Sequence, residues 1–232
     1  MTLQASGAIS LGNVSSELGV GSTTARSMND SSSRTLAGVA SGQISMSSFY
    51  GKSNFTPTTR IYSVFQSFAT TGTETVPSGA TSVTIEVWGA GGPGGQPYYD
   101  GSQYDSGGGG GGGSYCRSVY SVSGGDTLAY SAAGYDSVNC TVSSGSKTIT
   151  TLVGKRGAAG SSASYGVPGT AGGGYGATGG NVVNQTGNSA SGGTPGSAIT
   201  GLSSAAYGDG GSGDNIGSTT PGSQGAVIFR YT

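Results

Sequence analysis

Seven tyrosines, Tyr98, Tyr99, Tyr104, Tyr135, Tyr165, Tyr175 and Tyr207, stand among Gly, Ser and Asp in segments without strand periodicity. Antibody loops use the same mixture: tyrosine supplies rigid amphipathic contact area, and small polar residues adapt around it. Tyrosine faces can stack on sugar rings, while Asp100, Asp105, Asn139 and Asp209 can hydrogen-bond hydroxyls. The densest patch is Gln96-Pro-Tyr-Tyr-Asp-Gly-Ser-Gln-Tyr-Asp105, just ahead of an unbroken glycine run at 107–113. These residues are the candidate receptor-binding set. Their competing role is to cover exposed glycine backbone or to fill gaps between sheets.

Signals for catalysis are poor. Histidine is absent, which removes the commonest general base and metal ligand and excludes a conventional Ser-His-Asp site. Asp100, Asp105, Asp126 and Asp136 could include a glycosidase pair, but each sits in a turn-like context where aspartate is expected anyway. Gly145-Ser-Lys-Thr148 superficially resembles a phosphate loop, yet Ser146 separates glycine from lysine and the upstream glycine is missing. Gly210-Gly-Ser-Gly-Asp214 is one residue short of the calcium nonapeptide pattern; a calcium site from Asp209, Asp214 and Asn215 is conceivable. The expectation is a chain that is not an enzyme, with no metal and no cofactor.

Nine basic and ten acidic residues are scattered singly, and charged residues make up only 8% of the chain, against roughly 25% in ordinary globular proteins. No basic stripe exists to neutralise phosphates, which disfavours nucleic-acid binding. No apolar run approaches membrane-spanning length, and Met1–Gly7 lacks the positive start and apolar core of a signal peptide. A soluble chain outside the general secretory route is expected. Cys116 and Cys140 fall in strand-like segments and are either reduced small hydrophobes or a cross-strand disulfide.

The elements that must position the tyrosines fall into two parts. In residues 1–54, Ser10 is a helix N-cap, Leu11, Val14 and Leu18 recur at helical spacing, and Gly19 supplies a stop. A second short helix starts at Asn29 or Asp30, carries Leu36 inward and ends at Gly38; a third turn after Ser45 or Ser47 buries Met46 and Phe49 and ends at Gly51. With few large apolar residues, this region is expected to pack on a partner chain or on the following domain. Leu11, Val14, Leu18, Leu36, Met46 and Phe49 are the candidate docking residues. Residues 55–60 read as a linker, with Pro57 blocking helix continuation.

Residues 61–232 read as a glycine-rich β-domain. Strands are expected at 61–68, 82–88, 114–122, 127–132, 140–143 with 148–153, and 226–231, with hairpin turns at Gly124-Gly-Asp126 and Ser144-Gly-Ser146. The fold class is mainly β: a small β-sandwich with glycine-rich loops, preceded by a small helical N-terminal region. Residues 154–224 show no clear strand, and a structureless loop that long argues against itself. Of 49 glycines, 40 follow Trp88. Such stretches can adopt a polyproline-II-like helix and bond laterally through backbone groups, and seven such residues span about 22 Å.

Two stretches resemble proteins of tailed-bacteriophage virions. Ile9-Ser-Leu-Gly-Asn-Val-Ser-Ser-Glu-Leu-Gly19 with the segment Arg34–Asn54 resembles an N-terminal module of tail and other virion proteins. Val83-Thr-Ile-Glu-Val-Trp-Gly-Ala-Gly-Gly92, the glycine run and Gly225-Ala-Val-Ile-Phe-Arg-Tyr231 resemble the glycine-rich domain of phage tail fibres and adhesins. The resemblance implies a virion component, attached through its N-terminal part, whose glycine-rich part meets a bacterial surface glycan or protein. Some such adhesins build a lattice of polyglycine helices whose connecting loops contact the receptor. Unlike them, this chain has no long shaft, which favours a short tip, spike or baseplate attachment. The implied function is non-enzymatic host recognition by a homo-oligomer assembled in the host cytoplasm, with other tail or baseplate proteins as partners. The alternative is a structural decoration protein of capsid or tail that binds only other virion proteins.

Overall fold

Strand β3, Ser82–Trp88, alternates Val83, Ile85 and Val87 toward one side, and these side chains nucleate the main core. It pairs antiparallel with β11, Ala226–Tyr231, and with β6, Tyr115–Ser121. The edges are β1, Thr58–Ser63, and β10, Val183–Gln185, giving the order β1-β11-β3-β6-β10. A second sheet has the order β2-β7-β8-β9: Thr70–Thr75, Thr127–Ala132, Cys140–Ser144 and Leu152–Gly154. A two-stranded ribbon pairs β4, Tyr98–Tyr99, with β5, Tyr104–Asp105. This computed structural model describes residues 3–64, 69–134, 139–191, 196, 207–211 and 220–232.

The two larger sheets face each other as a sandwich. Val83, Ile85, Val87, Cys116, Val227, Phe229 and Tyr231 from one pack on Leu128, Ala132, Cys140, Val142 and Leu152 from the other. Both cysteines are buried and unbonded to each other, and burial pushes each thiol up to about 12. Two buried carboxylates are held by side-chain donors. Glu74 accepts from Arg60 Nη1 (2.8 Å), Tyr62 Oη (2.5 Å) and Tyr231 Oη (2.8 Å). Glu86 accepts from Tyr115 Oη (2.8 Å) and Arg230 Nε (2.9 Å).

Several expectations need correction. β1 begins at Thr58, inside the expected linker, because its pairing with β11 overrides the preceding Pro57. Residues 65–68 of the first expected strand lie outside the described residues. β2 was not anticipated: Thr-Thr-Gly-Thr-Glu-Thr lacks apolar alternation, and its inward residue is the carboxylate Glu74. Gly124-Gly125-Asp126 is no hairpin, since it carries the chain from β6 in one sheet to β7 in the other.

The N-terminal helices follow their caps. α1, Leu11–Glu17, starts at Ser10, whose Oγ accepts from Asn13 N at 3.2 Å while Asn13 Oδ1 accepts from Ser10 N at 2.8 Å. α2, Ser31–Ala37, ends at Gly38 with φ +73°, a left-handed conformation that glycine adopts without strain. A 3-10 turn covers Met46–Phe49. Together they enclose a separate small core of Leu3, Val14, Leu36, Ala37 and Phe49, with Leu18 and Met46 packed against it. Five of the six side chains expected to dock therefore fill the module's own interior. Of the six, Leu11 alone is exposed, at 37%.

Glu17 at the end of α1 accepts from Asn54 N (2.9 Å) and Ser53 Oγ (3.2 Å), fixing the chain as it leaves the module. Phe55 then packs against the sandwich core. Ser16 and Glu17 share a surface hollow with Ser78, in the turn that precedes β3. The module thus sits at the end of the sandwich where β3 begins. At the other end β3 and β9 run out into glycine, and β6 and β11 emerge from it.

That glycine region is a lattice, and most of its described bonds recur every three residues. Gly89, Gly92 and Gly95 N–H groups donate to Ser114, Gly111 and Gly108 carbonyls at 2.7–2.8 Å. Gly108, Gly111 and Ser114 in turn donate to Ser161, Ala158 and Lys155 at 2.8–3.0 Å. Gly169 and Gly172 donate to Ser106 and Gly109; Gly110 and Gly113 donate to Gly211 and Gly208; Gly112 donates to Asn188 and Gly196 donates to Gly110. A period of three with all bonds lateral is that of a polyproline-II backbone. The segment 106–114 is the central helix, and its neighbours surround it. At Gly107, Gly108, Gly110, Gly111 and Gly113 an added Cβ would lie 1.9–2.2 Å from a neighbour's carbonyl oxygen. Only glycine permits this packing.

Candidate functional site

The lattice separates the sandwich from two described loops, 96–106 and 162–168. From Gly89 to Gly95 the neighbouring helix advances about 19 Å at 3.1 Å per residue. The loops lie side by side because the helices beneath them do: Gly157 and Gly160 donate to Ala90 and Pro93, and Ala163 continues the series onto Gln96 at 2.8 Å. Gln96 N donates back to Ser162 Oγ at 3.3 Å.

In loop 96–106 the register pairs Tyr98 with Asp105 and Tyr99 with Tyr104, so the ribbon has two faces. On one face the Tyr99 and Tyr104 rings lie 4.5 Å apart, tilted by 33°. On the other, Asp105 Oδ2 accepts from Gly166 N at 2.8 Å, and Tyr98 meets Tyr165 edge-on at 6.4 Å. The second loop folds back at Gly166, φ +66°, between the paired Ser164 and Val167. It presents Tyr165, 73% exposed, and Val167, 58% exposed. Tyr98, Tyr99 and Tyr104 are exposed as well. The result is a tip of four tyrosines and one valine.

Both acids of the tip are engaged within it. Asp100 Oδ1 accepts from Gln103 N (2.9 Å), Ser102 N (2.7 Å) and Ser102 Oγ (2.8 Å). These bonds, the Gln103 amide first, hold its carboxyl below the usual aspartate range. Asp105 clasps the second loop. Through one oxygen each, Oδ1 of Asp100 and Oδ2 of Asp105, these carboxylates shape the loops that present the tyrosines. Neither loop contains a lysine or arginine.

The other singled-out residues lie elsewhere. Tyr207 is a correction, only 9% exposed, with its ring 5.8 Å from Trp88 where lattice meets sheet. Tyr175 is exposed but sits at the sandwich end, where its carbonyl accepts from Gly187 N. Tyr135, Asp136, Asp214 and Asn215 lie outside the described residues. Asp126 Oδ2 accepts from Ser123 N at 2.8 Å, in the turn far from the tip. Asn139 Oδ1 accepts from Arg156 N at 3.1 Å. The Gly145–Thr148 turn offers no phosphate cradle, since Ser146 N and Lys147 N both donate to Thr127. Among the described residues, no three His, Cys, Asp or Glu side chains gather as a metal site. Val167 was missed by sequence reasoning, although Tyr165-Gly-Val-Pro carries a turn signal.

The fold and the site together define a β-sandwich carrying a glycine-helix lattice with an aromatic loop tip. No protein-family model matches the chain, and no curated protein matches it.

Proposed function

We propose that the protein is a tailed-bacteriophage virion component, a tail-fibre, spike or baseplate-attached adhesin that recognises the host surface without catalysis. The observation that carries this reading is the exposed tip of Tyr98, Tyr99, Tyr104, Tyr165 and Val167, at the far end of the lattice from the N-terminal module. Module, sandwich, lattice and tip follow one another, which suits attachment at one end and recognition at the other. Aromatic faces on short, internally bonded loops give contact area at low entropic cost. Because the module's interior residues are committed to its own core, attachment to tail or baseplate proteins would use its surface, where Leu11, Val20 and Tyr50 are exposed. Repeated copies on a particle would add their weak contacts.

The test is competition: purified full-length protein is added to host cells before phage, and unadsorbed particles are counted. Dose-dependent blockade is expected, and Tyr98→Ala with Tyr99→Ala should abolish it while leaving the thermal midpoint unchanged. Absence of blockade by folded protein would reject host recognition in favour of a decoration protein. Release of soluble sugar fragments from host polysaccharide would instead reveal an enzyme.

A further inference from the structure

One side of the sandwich presents two free strand edges at once. β1 is the outer strand of the five-stranded sheet and β2 the outer strand of the four-stranded one; each is six residues long. They lie on the same side, because Arg60 and Tyr62 of β1 both bond Glu74 of β2. Among the described residues, the backbone of either strand bonds only to its neighbour within its own sheet, apart from the Thr75 carbonyl, which accepts from Arg60 Nη1 at 3.3 Å. A free edge is a template for another strand, and neither edge contains proline. Ile61, on the outer face beside Ile228, is 52% exposed.

The strand directions narrow the occupant. β1 runs from the module end toward the lattice, since Thr58 pairs with Tyr231 near the C-terminus. β2 runs the other way, since Thr75 pairs with Thr127 beside the distant turn. A second copy pointing the same way therefore offers its β2 antiparallel to β1 and its β1 antiparallel to β2.

We infer that this side binds a second copy of the chain, β1 pairing with the second copy's β2, so that both sheets continue across the junction. Register follows from side-chain parity, because core-facing residues must oppose core-facing ones. Thr58, Arg60 and Tyr62 face the core, as does Glu74 with Gly72 and Thr70. The register that sets Arg60 opposite Glu74 of the second copy also sets Tyr62 opposite Gly72 and Ile61 opposite Thr73. It brings two Arg60–Glu74 pairs together as one neutral network and covers the exposed Ile61. Direct β1-to-β1 pairing is antiparallel, so it would point the two tips in opposite directions. The inferred arrangement points them together.

The test uses full-length protein. Ile61→Cys mixed with Thr73→Cys, under mild copper–phenanthroline oxidation, is expected to give a disulfide-linked species of two chains on a non-reducing gel. Within one chain these positions lie on opposite outer faces, and the native cysteines are buried, so the link reports contact between chains. Ile61→Cys alone should give none. Sedimentation at micromolar concentration should show a closed oligomer for wild type and a monomer for Ile61→Lys with Thr73→Lys, both folded by circular dichroism. A monomeric wild type without cross-linking would overturn the inference. Cross-linking of Ile61→Cys alone would overturn the pairing in favour of β1 against β1.

Discussion

Gly110→Ala is the sharpest test of the lattice. Gly110 lies in the central helix, donates to Gly211 O at 2.8 Å and accepts from Gly196 N at 2.9 Å. A Cβ there would lie 2.0 Å from Gly92 O, 2.5 Å from Gly92 C and 2.7 Å from Pro93 O. The obstacle is backbone, so no rotamer change relieves it. Reaching an ordinary contact of 3.4 Å requires a shift of 1.4 Å, the difference from 2.0 Å. That shift would lengthen the Gly92–Gly111 and Gly211–Gly92 bonds, now 2.8 Å each. Overpacking costs about 1–3 kcal/mol, and two weakened bonds add about 1 kcal/mol each. Against this stands about 0.4–1 kcal/mol of stabilisation from the reduced freedom of the unfolded chain.

The net expectation is a loss of about 3 kcal/mol, which for a chain of this size lowers the thermal midpoint by about 6–12 °C. Calorimetry with Gly173→Ala as control measures it. Among the described residues an added Cβ at Gly173 meets nothing within 4 Å, so this change should be neutral or raise the midpoint slightly. Equal midpoints for the two variants would refute the close-packed lattice.

Three further outcomes follow from the sandwich and the tip. Glu74→Ala strands the buried Tyr231 and the half-buried Tyr62 hydroxyls, while the half-exposed Arg60 can turn to water; a loss of about 3 kcal/mol in urea unfolding is expected. An unchanged unfolding midpoint would show that the carboxylate is not what holds β2 to β1. Burial, then the bond to Glu74, pushes Tyr62 from its ordinary 10.0 up to about 12, and Tyr231 is raised by the same causes. Both contribute stability that is complete below pH 10 and lost as pH rises through the folded values. Since both thiols are also raised, from 9.0 to about 12, urea midpoints should fall steadily from pH 9 to 12. A flat profile there would contradict the burial. At the tip, Asp105→Ala should weaken blockade of adsorption without lowering the thermal midpoint, by releasing Gly166 and the Tyr165 loop; undiminished blockade would show the clasp to be dispensable.

Much of the architecture was legible because local signals and tertiary structure agree. Ser10, Gly19, Gly38 and Gly51 bound the short N-terminal elements as their chemistry requires. The alternation in 82–88 and 226–231 marks the two central strands. β2 and β10 were not legible, because edge strands need little apolar alternation and are defined by their neighbours. Tyr207 was misread for a related reason. Glycine-rich flanks ordinarily mean an exposed loop, but here glycine backbone is itself interior, so a tyrosine among glycines can be buried on Trp88. The partnership of Tyr98 with Tyr165 depends on which glycine helices are neighbours, and helices without side chains leave no mark of that in the sequence.

The same property explains why the lattice and the sandwich need each other. Ordering a residue costs roughly 1–2 kcal/mol of backbone entropy, and glycine loses more than any other. A glycine helix buries no side chain, and each lateral bond returns only about 1 kcal/mol, so the lattice alone falls short of stability. It is held because β3 and β9 lead directly into it and β6 and β11 lead out, each clamped by the apolar core. The three-residue bonding then fixes helices 89–95 and 106–114 whatever joins them. Loop 96–106 can vary in sequence without disturbing a core side chain, since none of its residues belongs to either sheet core. A recognition surface is thereby uncoupled from the packing that stabilises its support, which is the physical advantage of holding an aromatic tip on glycine rather than on a longer β-sheet.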